Sequence, residues 1–142
     1  MDIKIVRPFT IIGKGQTQGF FVAKLVEAFK NRQEVIEVGN IESLRDYVNV
    51  EYCSFVLAEL ICRDKVEEHI LNICTGVETS GKEVIRILED ITDFHPKIVI
   101  SDKFVRKNEI WRLVGNPEKL LRFLNGEKKY KSIHEIISGM LD

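Results

Sequence analysis

The feature that most constrains this chain is a glycine-rich stretch between a strand-like segment and a helix-like one. The segment IIGKGQTQGFFVAKLVEAF, residues 11–29, contains Gly13, Gly15 and Gly19. Apolar residues precede the glycines, and helical periodicity over residues 16–31 predicts an amphipathic helix after them. That arrangement has two interpretations: a loop that holds the pyrophosphate of a dinucleotide, or a turn between a strand and a helix.

Three features of the sequence count against the dinucleotide loop. The glycines follow the spacing G-x-G-x-x-x-G, so the third lies one residue late for close packing of the helix on the strand. Pro8, which has no N–H, interrupts the approach to the glycines. The next strand-like segment, EVIEV at 34–38, alternates charged and apolar residues, whereas a strand buried in a parallel sheet is apolar throughout. Because a glycine pattern alone is a weak signal, the turn is the favoured interpretation.

Strand-like and helix-like segments alternate along the rest of the chain, which predicts an α/β fold. Two helices carry start signals: Ser80 and Glu83 have the spacing of a capping box, and Asn116 followed by Pro117 is a typical helix N-terminus. We expect the helix over residues 51–61 to be mostly buried, because its sequence is apolar nearly throughout. The predicted strands and extended segments are IKIV, EVIEV, SLRDYVNV, HILNICTG and KIVIS.

Length and composition limit the kinds of protein this chain can be. Its 142 residues suffice for a real hydrophobic core, so we expect residues 1–142 to form a single domain. With a net charge of −1 it has no basic block for nucleic acid, and its apolar runs are too short to cross a membrane. Three cysteines without C-x-x-C spacing are typical of reduced thiols, so the expected location is cytoplasmic. The three histidines lie on separate predicted elements, which argues against a metal site.

Four segments, in order, resemble the extended short-chain dehydrogenases, the family of NAD(P)-dependent nucleotide-sugar epimerases and dehydratases. RPFTIIGKGQ resembles the family segment R-P-F-N-x-x-G-P-G-Q, and VGNIESLRDYVNVEYCSFVLAEL resembles G-N-x-x-x-x-R-D-F-x-x-V-x-D-x-x-x-A-x. ILNICTGVETSGKEVIRIL resembles V-Y-N-x-x-S-G-x-x-x-S-x-x-E-x-x-x-x-L, and VRKNEIWRLVGNPEKLLRFL resembles R-P-x-E/D-V-x-x-L-x-G-D-x-S-K-L. The nearest branch is that of the GDP-mannose 4,6-dehydratases and GDP-6-deoxy-hexulose reductases.

The resemblance implies that the chain corresponds to the C-terminal, substrate-binding part of such an enzyme. We therefore expect partial Rossmann-type sheet strands together with a small α/β substrate-binding subdomain, and the glycine stretch becomes the turn from a late strand into a helix. The family's cofactor loop and its catalytic Tyr-x-x-x-Lys pair are missing, since no tyrosine here has a lysine four residues later. NAD or NADP is the cofactor implied for the family, but we expect this chain to hold none and not to catalyse alone.

The resemblance also assigns candidate substrate-binding residues. Arg45 matches the arginine of the R-D-F segment, which in the family faces the nucleotide diphosphate, and a guanidinium suits phosphate oxygens. Arg106 and Glu109 match the R-P-x-E/D pair, whose arginine meets phosphate and whose acid accepts from ribose hydroxyls. Lys24, on the helix after the glycines, stands where the family often has a basic residue. The alternative for each is a surface ion pair or a solvated charge, which for Arg45 would involve the neighbouring Asp46.

Thr10 and Lys14 line the sugar pocket that the resemblance implies, and both depart from the family pattern. Thr10 stands where R-P-F-N has asparagine, and Lys14 where G-P-G-Q has proline. The proline after Arg106 is also replaced, by Lys107. These departures predict a pocket of altered or relaxed selectivity.

The predicted function is the nucleotide-sugar-binding portion of an NAD(P)-dependent sugar epimerase, dehydratase or reductase, with a GDP-linked sugar favoured. The alternative is a non-enzymatic remnant of the same fold that assembles into oligomers or pairs with a separate Rossmann half. IKIV and ILNIC correspond to strands of the family's parallel sheet, and unpaired strand edges invite pairing with another chain. We therefore expect a homo-oligomer.

Overall fold

Strands and short helices alternate in the computed structural model, which describes residues 3–63, 66–105 and 108–142. Within these ranges the helices are α1 (Phe21–Lys30), α2 (Val50–Cys62), α3 (Gly81–Thr92), α4 (Glu118–Phe123) and α5 (Ile133–Leu141). The strands are β1 (Ile5–Pro8), β2 (Thr10–Ile12), β3 (Val35–Val38), β4 (Leu44–Arg45), β5 (Tyr47–Asn49), β6 (Ile70–Ile73), β7 (Thr79–Ser80), β8 (Lys97–Ile100) and β9 (Arg112–Leu113). In this part of the chain no helix is both long and apolar enough to span a membrane.

The described strands pair in small sheets, and most pairs are parallel. β1 pairs with β6, β2 with β5 and β3 with β8, each in parallel. β4 lies between β7, which runs antiparallel to it, and β9, which runs parallel to it. Parallel strands joined through helices confirm the predicted α/β class.

The glycine-rich stretch forms the turn between β2 and α1. Gly15 has a φ of +86°, a conformation that a glycine adopts without strain. The N–H of Phe20 donates to the C=O of Thr17 at 3.2 Å, so α1 begins at Phe21 and not at Gln16 as the periodicity predicts. β2 pairs with β5, whereas β3, which follows α1, pairs with β8. A dinucleotide loop lies between two adjacent strands of one sheet, so this arrangement agrees with the turn.

Two apolar clusters form the core. The three-helix core packs α1, α3 and α5 against β3, and the two-helix core packs α2 and α4 against β6. Side chains at helical spacing supply most of each cluster, as amphipathic helices do. Fully buried members are Leu25, Ile36, Leu88 and Ile137 in the first core, and Tyr52, Val56, Leu71 and Leu120 in the second.

Local capping signals place two helices close to where the sequence predicts them. The Ser80 hydroxyl accepts a hydrogen bond from the N–H of Glu83 at 3.1 Å at the start of α3. The side-chain oxygen of Asn116 accepts from the N–H of Glu118 at 2.9 Å. α4 begins at Glu118, one residue after the predicted Pro117. The caps therefore carry reliable positional information, within about one residue.

The expectation that α2 is mostly buried is wrong. Of its 13 residues only Tyr52, Cys53 and Val56 are buried. Its outward face is nevertheless apolar, with Leu57 exposed and Ile61 84% exposed. An apolar sequence predicts a helix that can be buried, but it does not reveal which of its sides the rest of the chain covers.

Candidate functional site

A buried carboxylate organises the region that contains several of the predicted site residues. Asp46 lies between β4 and β5 and is 0% exposed. Its Oδ1 accepts hydrogen bonds from the N–H and the hydroxyl of Thr75, at 2.9 and 2.7 Å. Its Oδ2 accepts from the N–H groups of Gly76 and Gly115, at 2.9 and 3.2 Å. These four bonds offset the desolvation of the charge and join the segments that follow β4, β6 and β9.

The backbone of Asp46 holds two further segments. The N–H of Thr10 donates to the C=O of Asp46 at 3.0 Å, and the N–H of Asp46 donates to the C=O of Leu113 at 3.0 Å. Thr10 itself is half-buried at the start of β2. The start of β2, the end of β4 and the end of β9 therefore meet at one residue.

Arg45 and Glu109 form an ion pair beside this carboxylate. Nη1 of Arg45 donates to the C=O groups of Leu44 and Ile110, at 2.9 and 2.8 Å. Nη2 of Arg45 lies 3.5 Å from Oε1 of Glu109, and the two side chains are 19% and 18% exposed. An ion pair with Asp46 was the alternative for Arg45, but the Asp46 carboxylate is occupied by Thr75 and backbone donors. Arg45 is thus anchored through one nitrogen, while the other makes only a long contact.

Lys24 lies in a different environment. Its Nζ donates to the C=O of Glu37 at 2.6 Å and stands 3.6 Å from the ring centroid of Phe104. These partners belong to β3 and to the short 3₁₀ turn Asp102–Phe104. Neither contact involves Arg45 or Glu109, so the structure gives Lys24 a bond that ties α1 to β3.

Lys14 and Arg106 are the two remaining substrate-binding residues that the sequence predicts. Lys14 is exposed on the turn after β2 and makes no hydrogen bond or ion pair with another described residue. Arg106 lies outside the described residues. Of the six candidates, the described contacts therefore bring together Thr10, Arg45 and Glu109, around Asp46.

Sequence reasoning did not single out Asp46 or Gln16. The available signal for Asp46 was a carboxylate directly before the strand-like segment YVNV, because a charge at the start of a buried strand requires hydrogen-bond partners. Gln16 Nε2 donates to the C=O of Ile11 at 2.9 Å, and its Oε1 is buried without a hydrogen-bond partner among the described residues. A buried acceptor without a donor costs free energy, so a ligand that donates a hydrogen bond there would be favoured.

Burial keeps the Tyr47 phenol and the Cys74 thiol, which lie near Asp46, neutral at pH 7. It raises the pKa of Tyr47 to about 12, against the opposing influence of nearby Arg45. Burial, with a smaller contribution from the negative charge of Asp46, raises the pKa of Cys74 to about 12. Burial also raises the pKa of Cys53. Neither thiol is therefore a thiolate nucleophile at neutral pH, and the chemistry available around Asp46 is binding through hydrogen bonds and charge.

Comparisons with known proteins agree with this fold. The model of the NAD dependent epimerase/dehydratase family matches residues 1–74 of the 142. The chain belongs to the NAD-dependent epimerase/dehydratase family. The resemblance seen in the sequence is confirmed, and the epimerase/dehydratase relatives described next include enzymes named for GDP-6-deoxy sugars.

Two curated relatives and one solved structure define the similarity. The chain is 35% identical over 138 residues to GDP-6-deoxy-D-talose 4-dehydrogenase of Aggregatibacter actinomycetemcomitans, which covers 97% of this chain and 47% of that enzyme. It is 27% identical over 123 residues to GDP-6-deoxy-D-mannose reductase of Pseudomonas aeruginosa, covering 83% of this chain and 40% of that enzyme. The structure of RMD from Pseudomonas aeruginosa complexed with NADPH matches 99% of this chain and 47% of its own, with 25% identity and a TM-score of 0.86. This epimerase/dehydratase chain thus spans less than half the length of these relatives.

The glycine turn of this family member does not have the arrangement of a dinucleotide-binding loop. The glycine turn leads from β2 into α1, but β2 and β3 pair with different strands, so no crevice between adjacent strands receives a pyrophosphate there. The sequence also contains no Tyr-x-x-x-Lys. We therefore assign no step of hydride transfer to residues of this chain.

Proposed function

We propose that this chain binds a nucleotide sugar, with a GDP-linked sugar favoured, as the substrate-binding part of an epimerase/dehydratase. The observation that carries the proposal is the pairing of Arg45 with Glu109 next to the buried Asp46. The names of the two curated relatives refer to GDP-6-deoxy-D-talose and GDP-6-deoxy-D-mannose, which supports guanine as the base of the proposed ligand. Residues 1–142 act as one domain in this proposal.

The geometry of Arg45 suits the capture of a diphosphate. Because two backbone carbonyls hold Nη1, the guanidinium keeps its orientation when its other nitrogen changes partner. Nη2 is only 3.5 Å from Glu109, so a phosphate oxygen can form a shorter, charge-assisted bond with it. Glu109 then turns away from the phosphate and accepts from a ribose hydroxyl. Arg106 supplies a second cation to the diphosphate in this scheme.

The sugar would lie toward Thr10 and the glycine turn. Thr10 is held by its N–H to Asp46, which leaves its hydroxyl available to a ligand. Gln16 offers a buried acceptor without a donor, and Lys14 offers an exposed ammonium. We expect Lys24 to contribute little, because its Nζ is bonded to the C=O of Glu37.

This chain binds and orients its ligand but does not supply the groups that move hydride and proton. NAD or NADP supplies the hydride acceptor in the family, and the missing Tyr-x-x-x-Lys pair would have to come from polypeptide outside these 142 residues. Turnover by this chain alone is therefore not expected, whereas binding is.

Calorimetric titration tests the proposal. GDP-mannose, UDP-glucose, GDP and NADPH are titrated separately into the chain, and we expect the GDP compounds to bind. Arg45→Ala should weaken that binding roughly 10- to 150-fold, the range for a hydrogen bond to a charged group worth about 1.5–3 kcal/mol. Arg112→Ala is the matched control, because Arg112 lies on β9 and pairs with Glu78 at 2.8 Å on the surface.

Two results would contradict this scheme. Binding of GDP-mannose that survives Arg45→Ala and Glu109→Gln unchanged would place the ligand elsewhere. Binding of NADPH alone would restore the dinucleotide loop at residues 13–19.

The second candidate is a non-enzymatic assembly role, which the exposed apolar side chains of β1 and α2 favour. In that case the chain forms a homo-oligomer and binds none of the four ligands. Light scattering at micromolar concentration decides this point, because a clean monomer would exclude self-association as its function.

A further inference from the structure

Trp111 is an exposed aromatic side chain beside the Arg45–Glu109 pair. It directly precedes β9, and its side chain is 65% exposed. It belongs to neither apolar core, and among the described residues its indole forms no hydrogen bond or ring contact. Tryptophan contributes a large apolar area when it finds a partner, and it is among the side chains that most often supply binding energy. Its exposure next to a candidate binding pair therefore indicates a contact with ligand.

The strand register places Trp111 on the same face of its sheet as Arg45. Leu113 is directly paired with Arg45, so these two side chains share a face. Because successive side chains along a strand alternate, Trp111, two residues before Leu113, and Glu109, two residues earlier again, lie on that face. The ion pair of Arg45 with Glu109 agrees with this placement. Arg112 faces the opposite side, where it pairs with a surface carboxylate.

The backbone that carries Trp111 is fixed to β4. The C=O of Trp111 accepts a hydrogen bond from the N–H of Leu44 at 2.7 Å. The C=O of the preceding residue, Ile110, accepts from Nη1 of Arg45 at 2.8 Å. The same two bonds thus hold the indole and the guanidinium side by side. A contact made from such a segment requires no ordering of a loop, which lowers the cost of binding.

The groups on this face follow the order of the groups in a nucleotide. In the proposed site Arg45 takes the diphosphate and Glu109 accepts from the ribose. Side chains two residues apart on one face of a strand are about 6–7 Å apart, so the Trp111 ring lies next to whatever extends from the ribose. Leu113, which is 39% exposed, continues the apolar surface beyond the ring. A flat apolar surface beside the ribose site matches the face of a nucleobase.

We infer that Trp111 stacks on the nucleobase of the nucleotide sugar. This inference rests on the proposed function and assigns the base a position in the same site. Because every base has a π face, a stacked indole supplies affinity for nucleotides in general and does not choose among bases by hydrogen bonding. The indole N–H remains available at the edge of the ring.

Fluorescence tests the inference directly, because Trp111 is the single tryptophan among the 142 residues. GDP and inorganic pyrophosphate are titrated separately into the whole chain, and free tryptophan corrects for the light that GDP absorbs. We expect GDP to quench the indole emission saturably, whereas pyrophosphate, which has no base, should change it far less. Emission that stays constant at GDP concentrations that saturate the chain by calorimetry would overturn the inference and leave the proposed function standing.

Variants separate the base from the diphosphate. Trp111→Ala should weaken GDP binding roughly 5- to 150-fold, the range for losing one base–aromatic stack, and should leave pyrophosphate binding unchanged. Trp111→Phe should recover most of the lost affinity, because it keeps an aromatic ring. Arg45→Ala should weaken both ligands. Arg112→Ala is the matched control, since it changes the next residue of the strand on the opposite face and should weaken neither ligand.

Three outcomes would contradict the inference. GDP binding that survives Trp111→Ala unchanged would remove the stack, although loss of GDP binding in Arg45→Ala would still support the proposed function. Equal losses of GDP and pyrophosphate affinity in Trp111→Ala would show that this side chain supports the fold and not the base. Failure of the unaltered chain to bind any GDP compound would refute both the stack and the proposed function.

Discussion

Helices α3 and α2 are nearly equal in length, yet their outward faces are of opposite character. α3 has 12 residues and directs Lys82, Arg86 and Asp90 to the solvent. α2 has 13 residues and exposes Leu57 and Ile61. The outward face of α3 is therefore polar, as expected for a helix face in contact with solvent. The outward face of α2 is apolar, as expected for a helix face that packs against other polypeptide.

The two longest parallel pairs do not repeat this contrast, because their outward faces are both mixed. The outward face of β3–β8 carries Val35, Glu37, Lys97 and Val99. The outward face of β1–β6 carries Ile5, Arg7, Ile70 and Asn72. The difference between the two regions therefore lies in the outward faces of their helices and not in their sheets.

The largest effect is expected at Asp46, which holds together the segments that follow β4, β6 and β9. Asp46→Ala removes the acceptor of four hydrogen bonds and leaves buried N–H groups unpaired, so the free energy of unfolding should fall by about 3–5 kcal/mol. Urea denaturation followed by circular dichroism measures this loss. Asp90→Ala, at an exposed position of α3, should change stability by less than about 0.5 kcal/mol. A loss below 1 kcal/mol for Asp46→Ala would refute its connecting role.

A leucine pair compares the inside of α3 with the outside of α2. Leu88 is fully buried, so Leu88→Ala should destabilise the chain by about 2–5 kcal/mol through lost contacts and a cavity. Leu57→Ala should cost less than about 1 kcal/mol in the chain alone, because Leu57 is already exposed. The same urea experiment serves both variants. Equal losses would mean that the outward face of α2 is covered after all.

Alkaline pH probes one tyrosine in each core. Burial raises the pKa of both Tyr47 and Tyr52 from 10.0 to about 12. In the unfolded chain the phenols ionise near pH 10, so their contribution to stability is complete below pH 10 and is lost as the pH rises to about 12. For Tyr47 this loss is on the order of 2 kcal/mol. Urea midpoints at pH 8 and pH 11 measure it, and Tyr47→Phe should reduce the difference between them.

The smallest effect is expected on the outer face of α2. Ile61→Lys should change the free energy of unfolding by less than about 0.5 kcal/mol, because Ile61 is 84% exposed. The substitution should instead reduce self-association, which light scattering over a concentration series detects. A large destabilisation would contradict the assignment of this side chain to the surface.

Local signals in the sequence predicted the class, the family and the caps of α3 and α4. The family segments also named Arg45 and Glu109, which the described structure pairs. Asp46 escaped prediction because its partners Thr75 and Gly115 lie 29 and 69 residues away, and no local pattern records such contacts. The partners of Lys24 were missed for the same reason. The burial of α2 was misjudged because hydrophobicity states what a side chain prefers and not what is present to cover it.

The position of Asp46 has a consequence for how mutational scans of this chain should be interpreted. A screen that scores variants by loss of function would rank Asp46 with residues that touch the ligand, although its carboxylate is inaccessible and fully engaged by the protein. Loss of function at Asp46 would therefore reflect damage to the folded framework and not the loss of a ligand contact. In the site proposed above, changes of ligand preference would be sought instead at Thr10 and Lys14, whose side chains form no hydrogen bond within the described residues. The proposed site thus combines one framework residue, Asp46, with two positions at which substitutions would test ligand preference.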